Sequence, residues 1–421
     1  MKRYFSILIV IPLILLSSCN IPISTVPVSS NNKTILTVLA GQSTSDAGIE
    51  DIIDKRVNQK FPQVELEWET MDWGEYFHSQ MKARFAAGDA PDLIIGKAQD
   101  VASYYSSGVL APFPTKLAAL VKKEALSGTR FNDKVYGIPY NALYQGVIYN
   151  KNIFWRYNLK PPKDLSQMKT IVKRLNQVGM TPFATHFQEN WFIANITMQF
   201  ALNQVFLTSP DWGNQFRKKD MSFTKSKDMQ NCLQQVKFIL DNSWNDAFAI
   251  SQQESDKRFI QERAAMYLTG SWSLQAIQAM KPDMQIGIFP FPNQYGTAKL
   301  IYEPNMTFMK SATTKHGRLI DSLLLSFLND KDLAESIYGF TQTASVLQSV
   351  ETQHLTLISS DINSYSNAEK IMDATVGNSQ LGWEFQDQLA SMTRNWLDGK
   401  TDFTSVLTYA DQNRLNSGPV A

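Results

Sequence analysis

Ile35-Leu36-Thr37-Val38-Leu39, Val64-Glu65-Leu66-Glu67-Trp68 and Pro91-Asp92-Leu93-Ile94-Ile95 are three extended-looking runs, and what lies between them decides the fold. A turn is read from Gly41 to Gly48. Ile49, Ile52, Ile53 and Val57 then recur at helical spacing, and Pro62 bars continuation. Val64, Leu66 and Trp68 alternate with a period of two, as a strand does. Trp73, Phe77, Met81 and Phe85 recur every four residues, and Gly88 closes that helix. Strand, helix, strand, helix, strand predicts a parallel sheet with crossover helices, an α/β fold.

Beyond this start the chain reads as mostly helical. Leu165, Met168, Ile171, Val172 and Leu175 mark one amphipathic helix, and Met229 to Leu240 another. Ala264 to Leu268 and Gln285 to Phe289 read as strands, and Pro290-Phe291-Pro292-Asn293 as a loop. Leu319, Leu323, Leu324, Phe327 and Leu328 predict a further helix, and several short helices follow from about Asp330. No internal repeat is present. With 421 residues the chain exceeds the usual single-domain range, so two or more compact units are expected.

Upstream of Ile35 the pattern changes. Lys2 and Arg3 precede a short apolar run, Ile7 to Leu16, interrupted by Pro12. The run is too short to span a bilayer and has the make-up of a secretory signal peptide. It ends in Leu16-Ser17-Ser18-Cys19, which resembles the lipobox of bacterial lipoproteins. That resemblance implies cleavage before Cys19, lipidation of its thiol and a membrane anchor there. Residues 1–18 are thus expected to be removed. The Ser-, Pro- and Asn-rich stretch 19–33 reads as the lipidated cysteine and a flexible spacer.

Composition excludes several function classes. Hydrophobic residues make up 43% and charged residues 19%, which suits a globular protein with a sizeable core. Formal net charge is +1, and without Lys2 and Arg3 the balance is 38 basic to 39 acidic. A near-neutral chain without basic runs gives no footprint for nucleic acid. The cysteines are Cys19 and Cys232; the second falls on the helical stripe Met229–Leu240 and reads as core, so no disulfide is expected. There is no His-Glu-x-x-His, Cys-x-x-Cys, Gly-x-Gly-x-x-Gly or Gly-x-x-x-x-Gly-Lys. His78, His186, His316 and His354 are scattered and read as surface or satisfied core residues, not metal ligands. Gly270-Ser271-Trp272 lacks the pattern of a nucleophile elbow. No cofactor is implied, and no catalytic residue stands out.

Aromatic usage does stand out, at 11% of the chain, with nine Trp, 15 Tyr and 24 Phe. Tyr144, Trp191, Trp272 and Trp383 lie in polar, turn-like contexts. A sugar ring has an apolar C–H face and a rim of hydroxyls. An aromatic ring meets the face, and Asp, Glu, Asn or Gln meet the rim.

Three segments, taken together, resemble the extracellular solute-binding proteins (family 1) of carbohydrate ABC transporters. They are Phe85-Ala86-Ala87-Gly88-Asp89-Ala90-Pro91-Asp92-Leu93; Lys134-Val135-Tyr136-Gly137-Ile138-Pro139-Tyr140 followed by Val147-Ile148-Tyr149-Asn150-Lys151; and Ala264-Ala265-Met266-Tyr267-Leu268-Thr269-Gly270-Ser271-Trp272. The resemblance implies a two-lobed periplasmic-binding-protein-like fold (type II) with the ligand cleft between the lobes. It places lobe 1 at 34–145 plus 285–329 and lobe 2 at 146–284 plus 330–421. It implies a monomer that is no enzyme, takes a saccharide ligand, closes by a hinge and docks on permease subunits.

The resemblance also nominates ligand-binding residues. Trp272 matches the family's Gly-x-Trp tryptophan. Ser43 and Asp46 lie in the turn after the first strand, and Gln99 follows the Pro-Asp strand, where ligands bind in such sheets. Asn141 and Tyr144 follow the Gly-Ile-Pro-Tyr turn. Glu189 and Trp191 are expected in a loop, as are Glu303 and Asn305, where Tyr302-Glu303-Pro304-Asn305 replaces a stretch often glycine-rich in the family. Trp383 completes the set. Two other readings are an exported glycoside hydrolase using cleft carboxylates and a sensor lipoprotein without a transport role.

Overall fold

A computed structural model describes residues 33–41, 48–71, 75–350, 355 and 357–417. The expected leader, Cys19, Ser43, Asp46, Trp73 and His354 lie outside the described residues. The principal elements run β1 (Thr34–Gly41), α1 (Ile49–Lys60), β2 (Val64–Met71), α2 (Glu75–Ala87), β3 (Leu93–Gly96) and β4 (Gly137–Asn150). Then follow α3 (Leu165–Gln177), β5 (Thr181–Ala184), α4 (Asn190–Ala201), α5 (Lys227–Leu240), α6 (Gln252–Ile260), β6 (Ala264–Gly270) and β7 (Ile286–Phe289). The chain ends with β8 (Leu300–Ser311), α7 (Gly317–Leu328), α8 (Lys331–Thr341), β9 (Ile371–Asp373), α9 (Trp383–Leu397) and α10 (Phe403–Gln412). No helix among the described residues is long and apolar enough to cross a membrane.

The expected parallel start is present. β1 pairs in parallel with β2 on one side and β3 on the other. Successive β1 side chains point to opposite faces, so each face needs its own cover. Leu36, Val38 and Ala40 pack with Ile49, Ile53 and Val57 of α1. Leu39 packs instead with Phe77 and Met81 of α2, Ile94 of β3 and Met309 of β8. Each such side chain removed from water contributes about 1.5–3 kcal/mol. Asp164, Ser226 and Ser251 cap the first turns of α3, α5 and α6, which fixes where those helices begin.

Two long strands join the halves of the sheet, whose order is β2-β1-β3-β8-β4-β6-β5. β4 and β8 pair antiparallel from Ile301↔Gln145 to Met309↔Gly137. The far end of β4 changes partners: Gln145 to Tyr149 pair with β6, and Val147 to Asn150 with β7. β5 and β6 are parallel. Gln145 is the residue at which β4 holds both β8 and β6. Met306, buried in β8, has φ 45, and the ladder with β4 skips it between Asn305↔Asn141 and Thr307↔Pro139. Left-handed backbone at a non-glycine residue is strained by about 1–3 kcal/mol, and here it lies within the ladder that pairs the two long strands.

Candidate functional site

The candidate residues gather where strands end or cross. β5 ends at Ala184 and β6 at Gly270, and the two are parallel, so the segments after them emerge together. The first carries His186, Glu189 and Trp191; the second carries Trp272. The indoles of Trp191 and Trp272 meet edge to face, with centroids 6.4 Å apart at 69°. Trp272 lies over Gly270: a Cβ added there would stand 2.1 Å from the Trp272 ring. The Gly-x-Trp spacing is therefore a packing requirement. Ser271 Oγ accepts from the Tyr144 N–H at 3.2 Å, which ties this turn to β4. Tyr144 itself packs on Tyr302, with centroids 5.6 Å apart.

A polar chain crosses the same region. Glu303 on β8 is fully buried. Its carboxylate accepts from Lys97 Nζ at 3.0 Å and from the Gln145 amide. Gln145 Oε1 in turn accepts from Asn195 Nδ2 at 3.0 Å, and Asn195 Oδ1 from Gln199 Nε2 at 2.8 Å. The chain thus runs from the segment after β3, through both crossing strands, to α4. Burial pushes the Lys97 ammonium toward neutrality, but the facing Glu303 carboxylate outweighs it and the pKa is raised. The buried Glu303 charge is answered by Lys97, with the Asp100 carboxylate also acting on that ammonium.

Several candidates present buried polar atoms without a hydrogen-bond partner: Gln99 Oε1, Asn141 Oδ1, Trp272 Nε1 and Trp383 Nε1. Such groups are rare in interiors and call for a partner. Asn141 Nδ2 is satisfied by Thr343 Oγ1 at 3.1 Å, which leaves its carbonyl free. Asn305 is the register partner of Asn141. An open depression along Ser359, Asn363 and Asn367 shares no residue with this group.

Three expectations about local structure are corrected. Glu303 and Asn305 are not in a loop but inside β8, whose ladder with β4 runs through Pro304. Trp191 is not in a loop either but in the first turn of α4, with Glu189 just before it. Tyr144, read as turn-like, is mid-strand, and Trp383 begins α9. Lys97, Gln145, Asn195, Gln199 and His186 belong to the assembly and were not singled out from sequence. Asn195 and Gln199, four apart on a mostly apolar helix, were the available signal.

A profile of the family described as bacterial extracellular solute-binding protein matches residues 40–328. The chain belongs to that family. This solute-binding protein is 26% identical over 316 residues to the multiple sugar-binding protein of Streptococcus mutans serotype c, covering 72% of each chain. It is 22% identical over 314 residues to a melibiose/raffinose/stachyose-binding protein of Bacillus subtilis, covering 69% of this chain and 68% of that one. Among solved structures, a chitin oligosaccharide binding protein superposes with a TM-score of 0.78 at 16% identity, over 92% of this chain and 99% of the other. The fold is accordingly the two-lobed one of periplasmic binding proteins, and the chain is a binding protein and not an enzyme.

Proposed function

We propose that this protein is a lipid-anchored extracytoplasmic receptor that captures a saccharide between its lobes and delivers it to the permease of an ABC importer. The observation that carries the reading is the pairing of Trp191 with Trp272, whose own indole N–H is buried without a partner. Indole faces take the C–H face of a sugar, and amides take its hydroxyls. The buried Glu303 carboxylate is neutralised by Lys97, which suits an uncharged ligand. The sugar-binding relatives point the same way.

In this reading Trp272 stacks on a ring, and Trp191 and Tyr144 border it. Gln99, Asn141 and Asn305 bond hydroxyls, together with Ser43, Asp46, Glu189 and Trp383. Glu303 acts through Lys97 and Gln145. Cys19 carries the lipid, and the 19–33 spacer keeps the body close to the permease, raising its effective concentration there. Closure is a hinge motion at the β4 and β8 crossings, driven by the ligand's preference for the closed form.

We take the lobes as 34–145 plus 285–329 and 146–284 plus 330–421, with two adjustments that pairing supports. β7 is hydrogen-bonded to the second-lobe half of β4, so 285–299 goes with lobe 2. Asp330, which begins α8, meets Arg56 and Lys60 of α1 at 3.1 and 2.6 Å, so the segment from 330 through α8 goes with lobe 1.

The test is a thermal-shift screen of the purified protein against neutral mono- and oligosaccharides, followed by analysis for new reducing ends. Stabilisation by a saccharide that is recovered uncleaved is expected. The absence of any stabilising saccharide overturns the ligand class.

A further inference from the structure

Directly behind the two tryptophans sits a histidine that touches no solvent. His186 is 0% exposed, and its Nδ1 lies 2.8 Å from Glu189 Oε2. Its ring packs on Phe192 (centroids 4.1 Å) and on Trp191 (4.8 Å, 52°), and it meets Tyr267 edge-on at 6.2 Å. Trp191 then passes the contact to Trp272. A carboxylate beside Nδ1 fixes the tautomer with the proton on Nδ1. His186 Nε2 is left as a bare lone pair, buried without a partner. Glu189 is itself held, since its Oε1 accepts from the Gln252 N–H at the start of α6, at 3.4 Å.

We propose that His186 is the positioning residue of the aromatic wall: its neutral ring, locked by Glu189, sets the angle of Trp191 and through it the face that Trp272 offers to the ligand. The inference rests on the reading of this region as the ligand site. The residue acts through its neighbours, because a fully buried ring cannot reach a solute.

The arrangement makes the wall sensitive to acid. A second proton on the ring would go to Nε2, which has no acceptor within reach. The titratable and charged groups around it are Glu189 on its own segment, Tyr267 on β6, Asp256 on α6 beside Tyr267, and Arg394 on α9, which donates to the Gln188 carbonyl. Burial lowers the imidazole pKa below its ordinary value, and the Glu189 hydrogen bond opposes this only in part. The ring is therefore neutral at pH 7. Protonation at lower pH leaves Glu189 pairing only the Nδ1 side and places a second N–H, on Nε2, among aromatic rings without an acceptor, and the ring must shift to accommodate it.

The first measurement needs no ligand. Tryptophan emission is followed from about pH 8 to about pH 4.5 in the wild type, His186→Phe, His186→Asn and Trp191→Phe, because an imidazolium against an indole quenches it. The wild type is expected to lose emission in one step with a midpoint below 6.5, and the step to vanish in His186→Phe and Trp191→Phe. Saccharide affinity at about pH 7.5 is the second measurement. His186→Phe, which keeps a ring but no donor for Glu189, weakens binding about tenfold, roughly 1.4 kcal/mol. His186→Asn, whose amide N–H stands near the position of Nδ1, restores part of it. Superimposable emission profiles in wild type and His186→Phe overturn the proposal, and so does unchanged affinity in that variant. A His186-dependent emission step in a protein that binds no saccharide leaves the positioning role intact and removes the saccharide reading.

Discussion

Trp272 is placed by what Gly270 lacks. Since a Cβ at 270 would meet the indole at 2.1 Å, Gly270→Ala is expected to swing the ring and weaken ligand binding at least about tenfold. Near-ultraviolet circular dichroism should register the displaced indole. Asp256 gives a second prediction at this scale. Burial raises its pKa from 3.8 to about 7, and the nearby Tyr267 and Ser273 hydroxyls offset only part of that. For an acid whose pKa is higher in the folded state, the native form holds the proton more tightly. Stability therefore falls as pH rises from about 4 to about 7, and the cost is fully expressed above 7. Asp256→Asn should gain on the wild type by a few kcal/mol between about pH 4 and pH 8 in denaturant melts. A constant difference across that range contradicts the assignment. Trp272 was legible in sequence because glycine two residues before an indole is a pattern. His186 was not, because a lone histidine after a strand looks the same whether it is buried under a ligand wall or on the surface.

At the level of elements, β4 and β8 carry the argument. Their ladder brings Gln145 and Glu303 together, and Lys97, 206 residues from Glu303 in the chain, joins that carboxylate. No spacing rule reports a pair that distant, whereas the β1–α1–β2–α2–β3 start was readable from local periodicity alone. The stretch Tyr302 to Asn305 is expected as a loop because the resemblance places one there, and the long pairing with β4 makes it a strand instead. Glu303→Gln leaves the Lys97 cation without its counter-charge, and loss of one partner of a buried pair costs on the order of 3 kcal/mol. Urea unfolding should show a loss of that order. The double variant Glu303→Gln with Lys97→Met should recover much of it. No recovery contradicts the pairing as the source of the loss.

For the whole molecule, α2 and α9 meet through Lys82 and Glu384, 2.5 Å apart and largely exposed. One helix packs on β1 and β3 and the other on α4, so this contact ties those two parts of the molecule together in the conformation described. An exposed ion pair is worth at most about 1 kcal/mol. Lys82→Glu should therefore weaken ligand affinity no more than about fivefold, with the effect fading in high salt. A larger or salt-independent loss would point to a different role for that contact. The two-lobed architecture was accessible only through the combined resemblance of three separate segments, since no single one of them specifies a cleft.

The central claim is that a neutral saccharide binds against the Trp191–Trp272 wall. Calorimetric titration of the wild type and of Trp272→Ala with a saccharide that stabilises the protein tests it most directly. The account predicts one site per chain in the wild type and affinity at least about tenfold lower in Trp272→Ala at an unchanged melting temperature. Equal affinity in the two proteins, with both folded, would contradict it.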